Sequence, residues 1–422
     1  MKKQRCKGFA LRMSAGAIGL AFLLASAGSA SAAELRIGFL SPMTGFFAAV
    51  GKDMSDGFKM YLDEQNNNFA GMTVKFILED SQGKPPINVR KAQKLIRQDK
   101  VHMFVGGLLA STGYALAPLS TRSKVIYIAP IAAADDLTQR QSEKYPYFLR
   151  TGWSSSQPSH PFGEWACDQG YKKIVTVAAD YAFGHEVVGG FQKTFEGCGG
   201  KIIQKLWPRL GGIDFGPHLP LIKREADAVF TLMVGPMSIQ FPKQFKAAGL
   251  TMPLLGGGTS ADEFALPSMG PEAIGYVTAL QYSAALDTPK NKAYVRKYRG
   301  IYGKVPSYYS EANYTTAQWI HETIKRAGGK WPGAKKFIEI FSKIRLNSVR
   351  GPVYLDDQRN PVHNIYIRKV ENRIHQGYAE RELWNTVVRT YTNVGQYWTF
   401  SKNEFLKQPV YSRTYPPCKY CD

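Results

Sequence analysis

The sequence predicts an α/β protein of two lobes, each built on a parallel sheet with helices on both faces. Short apolar segments rich in β-branched residues alternate with segments of helical spacing from residue 35 onward. A small and polar stretch between Pro130 and Lys144 interrupts this alternation, which restarts after Pro158. Strands that alternate with helices form parallel sheets with right-handed crossovers. The interruption therefore predicts two such sheets.

Residues 1–32 have the pattern of a secretory signal peptide. Five basic residues accompany an apolar segment, Ala15–Ala25, and a small-residue run, Ser26–Ala33, with Ala30–Ala32 as the cleavage motif. The apolar segment is too short to span a bilayer, and Cys6 precedes it. A retained anchor and a lipid-modified cysteine are therefore disfavoured. We expect a soluble exported protein without a membrane helix of its own.

The composition predicts a folded, basic protein. Removal of residues 1–32 leaves 390 of 422 residues, enough for two domains with their own cores. The net charge of +21 becomes +16 without the five basic residues of that segment. Because no dense basic tract occurs, nucleic-acid partners are not expected. The excess charge either covers solvated helix faces or favours an anionic ligand or an acidic partner.

Four cysteines follow the signal segment, and an even number in an exported protein predicts two disulfides. Pairing of Cys167 with Cys198 would tie the ends of two neighbouring helices. Cys418 and Cys421 form a C-x-x-C motif at the chain end, where neither a helix start nor a second ligand pair supports redox or metal chemistry. We expect a small bridge there.

The first lobe is predicted to begin with four strands that alternate with three helices. The strands are Leu35–Leu40, Thr73–Leu78, His102–Val105 and Val125–Ile128, the helices are Lys52–Asn67, Ile87–Gln98 and Thr112–Arg122, and Tyr147–Thr151 adds a short strand.

The corner between the third strand and the third helix is a candidate ligand site. Ala110, Ser111 and Thr112 stand where unpaired backbone N–H groups and the positive end of a helix dipole face the carboxyl edge of the sheet. Ligands of open α/β sheets bind at this edge. The alternative is that Ser111 only caps its helix.

The second lobe repeats the alternation after Pro158. Its predicted helices are Phe162–Gln169, Gly184–Phe195, Phe215–Glu225 and Ile239–Ala248, and its strands are Lys173–Ala178, Lys201–Trp207, Ala228–Met233, Pro253–Leu255 and Ala273–Tyr282.

The last part of the chain is predicted to cross between the lobes. Three amphipathic helices without intervening strands cannot extend the second sheet, so we expect them to return to the first lobe. Near Gly351 we expect the chain to cross back to the second lobe. The first lobe is then 33–151 plus 283–351, the second 152–282 plus 352–395, and the tail 396–422. The elements are the helices Asn291–Tyr302, Asn313–Arg326 and Ala334–Ile344 and the strands Val353–Leu355 and Asn364–Val370.

Seven short motifs occur along the chain in a specific order and spacing. They are Ile37–Gly45 before a Gly51 to Gly57 helix start, Val105–Thr112, Ile128–Pro130, Phe148–Thr151, Asp180–Gly184, Ala247–Leu250 and Arg350–Pro352. Together they resemble the type I periplasmic solute-binding proteins of branched-chain amino-acid ABC transporters. The segment Gln396–Pro417 is similar to a tail of members whose ligands are not amino acids. The resemblance implies two Rossmann-like lobes joined by a three-segment hinge, which capture a small molecule and deliver it to an inner-membrane permease, as a monomer.

The same resemblance implies where an amino-acid ligand would be held, and the required groups are missing. Ala110 and Ala133 stand at the two positions of the family's ligand-binding hydroxyls, and Gly258 stands near that of the acidic residue for the ligand ammonium. An unpaired ammonium in a closed cleft would cost several kcal/mol. We therefore expect a ligand other than an α-amino acid, with a branched-chain amino acid as the alternative.

Apolar and aromatic residues instead follow the predicted strands, where they could sandwich a flat ligand. Ser111, Thr112 and nearby N–H groups could hold its carboxylate, and Arg150 either pairs with that carboxylate or ties the hinge. The alternative for each aromatic ring is a place in a lobe core. The candidate ligand-binding residues are Phe46, Phe47, Leu109, Ala110, Ser111, Thr112, Ile131, Ala133, Trp153, Tyr181, Phe183, Val234, Gly258 and Thr259.

Enzyme motifs are not found in the sequence. No G-x-G-x-x-G follows the first strand, no P-loop or G-x-S-x-G elbow occurs, and the seven histidines show no metal-ligand spacing. We expect a binding protein without cofactor or metal, its ligand being an aromatic or otherwise apolar carboxylate. A ligand-sensing module for a membrane receptor is the alternative to transport, and neighbouring permease genes would discriminate between them.

Overall fold

The computed structural model describes residues 1, 33–375, 378 and 380–421. The predicted signal peptide thus lies outside the described residues, except for Met1. Within the described part of the chain, no helix has both the length and the apolar character needed to cross a membrane.

The first sheet has six strands in the order β2-β3-β1-β4-β5-β6, and all neighbours are parallel except β2 and β3. The predicted alternation is confirmed, including the short strand predicted at Tyr147–Thr151, which is β6 at one edge, and the unpredicted short strand β2 lies at the other edge. The strands are β1 Glu34–Ser41, β2 Asn68–Phe69, β3 Met72–Asp80, β4 Met103–Gly106, β5 Ile126–Ala129 and β6 Phe148–Arg150, and the helices are α1 Ala48–Glu64, α2 Pro85–Arg97, α3 Ala110–Ser123 and α4 Asp136–Gln139.

The second sheet has a parallel half and an antiparallel half. Strands β8, β7, β9, β10 and β11 run parallel, and β14 then pairs antiparallel with β11, β13 and β15, while β12 pairs with β13. The strands are β7 Lys173–Ala178, β8 Lys201–Leu206, β9 Ala228–Leu232, β10 Leu254–Gly257, β11 Val277–Leu280, β12 Arg345–Ser348, β13 Gly351–Leu355, β14 Pro361–Arg373 and β15 Glu382–Val394, and the helices are α5 Ser159–Asp168, α6 Ala182–Gly197, α7 Pro236–Ala247 and α8 Leu266–Met269.

The late helices α9 (Pro289–Tyr302), α10 (Tyr308–Arg326) and α11 (Ala334–Ser342) follow β11. Helix α10 packs on α1 of the first lobe. A Cβ on Gly57 of α1 would lie 2.0 Å from the carbonyl oxygen of Ser310, so this close approach requires glycine. The Tyr314 hydroxyl donates to Glu64 Oε2 at 2.7 Å across the same contact.

Two sequence predictions about elements are wrong. The helix predicted over Phe215–Glu225 is only a 3₁₀ turn, Leu219–Leu221, since Pro217 and Pro220 remove two backbone donors. The predicted return to the second lobe near Gly351 comes earlier, because β12 already pairs in the second sheet.

The C-terminal tail lies along the second lobe and also reaches the first. Tyr411 packs on α6, where a Cβ on Gly189 would lie 2.5 Å from its ring. Trp398 Nε1 donates to Glu164 Oε1 at 2.6 Å, and a guanidinium nitrogen of Arg140 in the first lobe donates to the Gln408 carbonyl at 2.7 Å. The tail thus holds the two lobes together beside the hinge. Its last helix is α12, Lys402–Phe405.

The structure pairs the cysteines as the sequence predicts. One disulfide joins Cys167 at the end of α5 to Cys198 after α6, and the other joins Cys418 to Cys421.

Candidate functional site

A small cavity of about 20 Å³ lies between the lobes. Such a volume admits about one water molecule, so a ligand of aromatic size needs the lobes to separate or side chains to move. The structure therefore has a closed cleft. The lining residues come from both lobes and from the start of α10, and they are Phe47, Leu108, Leu109, Ala110, Ile131, Ala133, Trp153, Tyr181, Phe183, Val234, Thr259, Tyr308 and Tyr309.

The first lobe contributes the start of α3. Leu109 is the N-cap, and its carbonyl accepts hydrogen bonds from Thr112 N–H at 2.9 Å and Gly113 N–H at 3.2 Å. The N–H groups of Ala110 and Ser111 precede these and have no acceptor within the helix. The turn before them needs glycine, because Gly106 has a φ of +111° and a Cβ there would lie 2.2 Å from the Leu40 carbonyl oxygen. This turn directs the first turn of α3 to the edge of the sheet.

The second lobe contributes the start of α6. The helix begins at Ala182 after β7, and the extended Tyr181 precedes it as the N-cap. A Cβ on Gly184 would lie 2.0 Å from the Ala179 carbonyl oxygen, so only glycine allows the chain to turn this tightly. The turn brings Tyr181 and Phe183 to the cavity beside free N–H groups of a second helix start.

Aromatic rings form much of the cavity wall. Trp153 meets Phe183 edge to face at 5.3 Å between centroids and Tyr308 at 6.1 Å, and Tyr181 meets Phe183 at 5.9 Å. Trp153 is only 2% exposed, and its indole N–H has no partner among the described residues. Edge-to-face contacts of this kind hold the rings in fixed orientations.

The tyrosine hydroxyls at the cavity are neutral donors. Burial raises the pKa of Tyr181, Tyr308 and Tyr309 above the usual value for a phenol, and the proximity of Tyr309 raises it further for the other two. Burial, together with the neighbouring Glu263, also raises the pKa of Asp262 well above its usual value. Asp262 Oδ2 accepts from Tyr308 N–H at 3.3 Å and does not line the cavity.

Arg150 lies outside the cavity and fits the hinge interpretation. It is fully buried, and one guanidinium nitrogen donates to Thr138 Oγ1 at 2.8 Å and to Asn360 Oδ1 at 2.9 Å. The other donates to the carbonyl of Ala134. These contacts join the last strand of the first sheet to the start of β14 in the second. Since Arg150 is bound in this way, it does not reach the cavity, and the residues that line the cavity include no cationic side chain.

Four predicted site residues do not line the cavity. Phe46 is 37% exposed at the mouth of the cleft. Ser111 is exposed and does not cap α3, and Thr112 is buried with no partner for its hydroxyl among the described residues. A Cβ on Gly258 would meet the side chain of Leu280 at 2.6 Å, so this position packs into the second lobe. The other predicted residues surround the cavity together.

Sequence reasoning missed Leu108, Tyr308 and Tyr309. The two tyrosines form the first turn of α10, which was predicted to begin only at Asn313. The sequence does contain a helix-start signal before them. Ser307 is an N-cap whose side chain accepts a hydrogen bond from Ser310 N–H, so the helix could have been predicted to begin at Tyr308.

The sequence and the fold were compared with those of known proteins, and both match two-lobed binding proteins. The model of the family "Periplasmic binding protein" matches residues 34–376. The Leu/Ile/Val-binding protein homolog 6 of Brucella melitensis is 29% identical over 373 residues, which cover 86% of this chain and 94% of the relative.

Similar solved structures include bacterial solute-binding proteins of ABC transporters. A solute-binding protein of Rhodopseudomonas palustris in complex with 3,4-dihydroxybenzoic acid is 33% identical with a TM-score of 0.81, over 86% of this chain and 98% of the other. Another from R. palustris, in complex with 4-hydroxybenzoate, is 30% identical with a TM-score of 0.79, over the same shares. A leucine-binding protein of Thermotoga maritima, 22% identical with a TM-score of 0.72 over 83% of this chain and 99% of the other, shares the fold.

Proposed function

Because the chain belongs to the periplasmic binding protein family, we propose that it captures an aromatic carboxylate between its lobes and delivers it to a permease. It is a solute-binding protein of an ABC transporter. Its place is the periplasm, reached through the predicted signal peptide, and it acts as a monomer without catalysis. Its R. palustris relatives in complex with dihydroxy- and hydroxybenzoate support this class of ligand.

The composition of the cavity wall carries the proposal. Aromatic rings dominate the wall, and neither an acidic nor a basic side chain is among its lining residues. An α-amino acid needs an acceptor for its ammonium, and an unpaired buried charge costs several kcal/mol. A benzoate has no such group. Its ring can replace the contacts that Trp153 now makes with Phe183 and with Tyr308. Each aromatic pair contributes roughly 1 kcal/mol beyond buried area.

The carboxylate can be held without a cationic side chain. The starts of α3 and α6 enter the cavity from opposite lobes, and each offers unpaired N–H groups and a partial positive charge. The hydroxyls of Tyr181, Tyr308 and Tyr309 add neutral donors for the carboxylate or for a ring hydroxyl. Closure of both lobes on one ligand brings the two helix starts together, so binding favours the closed form.

Thermal unfolding with candidate ligands tests the proposal. Residues 33–422 should melt at higher temperature with benzoate or 4-hydroxybenzoate and be unaffected by leucine or valine. A ligand at 100 times its Kd adds about 2.7 kcal/mol to the free energy of unfolding. A large shift with leucine and none with the aromatic acids would contradict the proposal and favour the amino-acid alternative that the Brucella relative's name suggests.

A matched pair of tryptophan variants locates the site. Trp153→Phe should weaken 4-hydroxybenzoate binding by about 1 kcal/mol, or roughly fivefold in Kd. Trp384→Phe is the control, because Trp384 is equally buried, its indole N–H also lacks a partner among the described residues, and it lies in β15 away from the cavity. Calorimetric titration measures both. Equal Kd values for the two variants would place the ligand elsewhere.

A further inference from the structure

A second, larger space lies outside the inner cavity. This outer groove has a volume of about 660 Å³ and is open to solvent. Phe47 and Leu109 line both spaces, so the groove and the cavity share a wall. The rest of the groove is formed by three turns, 44–46 and 82–84 from the first lobe and 209–212 from the second. The groove is therefore the mouth of the cleft.

The charged residues that line the outer groove are both cationic. Lys84 comes from the first lobe at the N-cap of α2, and Arg209 comes from the second lobe. Both are exposed, and neither side chain has an ion pair with a described residue. Each lobe thus offers one uncompensated positive charge to the same opening.

Nearby carboxylates are bound by other groups. Asp80 accepts hydrogen bonds from the N–H groups of Met43 and Gln82, both at 2.9 Å, and from the Thr44 hydroxyl at 2.6 Å. Burial alone would raise the pKa of Asp80, but these hydrogen bonds together lower it. On the second lobe, Asp180 pairs with His185 and Arg413. Asp80 therefore holds two of the turns in place. The backbone of Asp180 forms a β-bridge with that of Arg209, but the Asp180 carboxylate contacts His185 and Arg413 and makes no ion pair with the Arg209 side chain.

Two phenylalanine rings separate the outer groove from the inner cavity. Phe47 lies between Gly83 and Gly235, where a Cβ would come within 2.9 Å and 3.1 Å of its ring. Gly235 belongs to the second lobe, so this ring closes the boundary across the cleft. Phe46 meets Phe47 edge to face at 4.9 Å and is partly exposed in the groove. A ligand that enters the cavity from the outer groove must displace this pair.

We propose that the outer groove is the encounter site for the anionic ligand, where Lys84 and Arg209 hold its carboxylate before the Phe46–Phe47 pair admits the ring. This inference rests on the proposed function only in requiring an anionic ligand. The cations line the mouth and not the inner cavity, so they act on the rate of association and not on the lifetime of the closed complex. Because both are exposed, salt screens them, with a Debye length of about 8 Å at 0.15 M.

Stopped-flow tryptophan fluorescence with 4-hydroxybenzoate tests this assignment. In the double variant Lys84→Gln/Arg209→Gln, the association rate constant at low salt should fall about tenfold, its salt dependence should flatten, and the dissociation rate constant should stay unchanged. The control is Arg122→Gln/Lys330→Gln, which removes the same net charge from two exposed residues outside the groove. The control should associate at close to the wild-type rate.

Each other outcome overturns the assignment in a recognisable way. Equal association rates in the two double variants would show that only net charge matters. Faster dissociation with unchanged association would place the two cations on the bound ligand. If the wild type binds no aromatic acid, the proposed function fails separately, and the same kinetics are measured with whichever acid raises the melting temperature. If only an uncharged ligand binds, or none, the encounter site is also refuted.

Discussion

At the scale of single residues, two buried carboxyl groups connect the lobes. Glu186 of α6 accepts hydrogen bonds from Asp135 N–H at 3.2 Å and from the Tyr114 hydroxyl at 3.3 Å, both of which belong to the first lobe. Asp135 in turn accepts from Ser156 N–H at 3.0 Å. Burial raises the pKa of Asp135 to about 6, and burial together with the Asp135 charge raises that of Glu186 well above its usual value. Burial between the lobes therefore favours the protonated form of this pair.

This pair predicts a loss of stability as the pH rises. Between about pH 4 and pH 6 the folded chain holds a proton on Asp135 that the unfolded chain has released, so the free energy of unfolding falls over this range. Asp135→Asn cannot lose a proton, and its amide oxygen can still accept from Ser156. Urea unfolding at pH 4 and pH 6.5 should show a smaller decrease in this variant than in the wild type. An equal decrease would assign the effect to other groups.

The candidate site shows what residue patterns reveal and what they miss. Ala110 and Ala133 were located through the fixed spacing of short motifs, and both line the cavity. Trp153 was ambiguous between core and site, and the structure explains why, since it is buried and also lines the cavity. Gly258 was placed only through the family's acidic position, and the resemblance could not show that the 3₁₀ turn at this position packs on Leu280.

At the scale of elements, strands and helices with strong apolar periodicity were predictable. The failed helix over Phe215–Glu225 has suitable apolar spacing, but its prolines outweigh that spacing. Strand β15 was not predicted. It pairs with β14, the strand directly before it, and this pairing contains a register shift after Ile367 that neither strand's sequence indicates by itself. The pairing of β15 with β14 is therefore visible only in the folded structure.

The two disulfides should contribute unequally to stability. Cys167–Cys198 closes a separation of 31 residues, which the chain-entropy relation values at about 3–4 kcal/mol, and Cys418–Cys421 closes 3 residues, at about 2 kcal/mol or less. Cys167→Ser/Cys198→Ser should therefore destabilise the protein more than Cys418→Ser/Cys421→Ser in urea unfolding. Equal losses would show that the chain-entropy account fails here.

At the scale of the whole molecule, the two-lobe organisation could be predicted because alternation stopped and restarted along the chain. The shape of the cleft could not, since it depends on how two sheets, the returning helix α10 and the tail meet. The structure brings together Phe47, Trp153, Phe183 and Tyr308, which are separated by up to 261 positions in sequence. A wall assembled in this way has no local sequence signal.

A crystal structure of residues 33–422 with 4-hydroxybenzoate tests the central claim most directly. The ring should lie between the lobes against Trp153, Phe183 and Tyr308, with its carboxylate at the first turn of α3 or α6. The cavity should be larger than the present 20 Å³. The account would be contradicted by a ring bound outside this cavity, or by a co-purified α-amino acid inside it with its ammonium on Asp262.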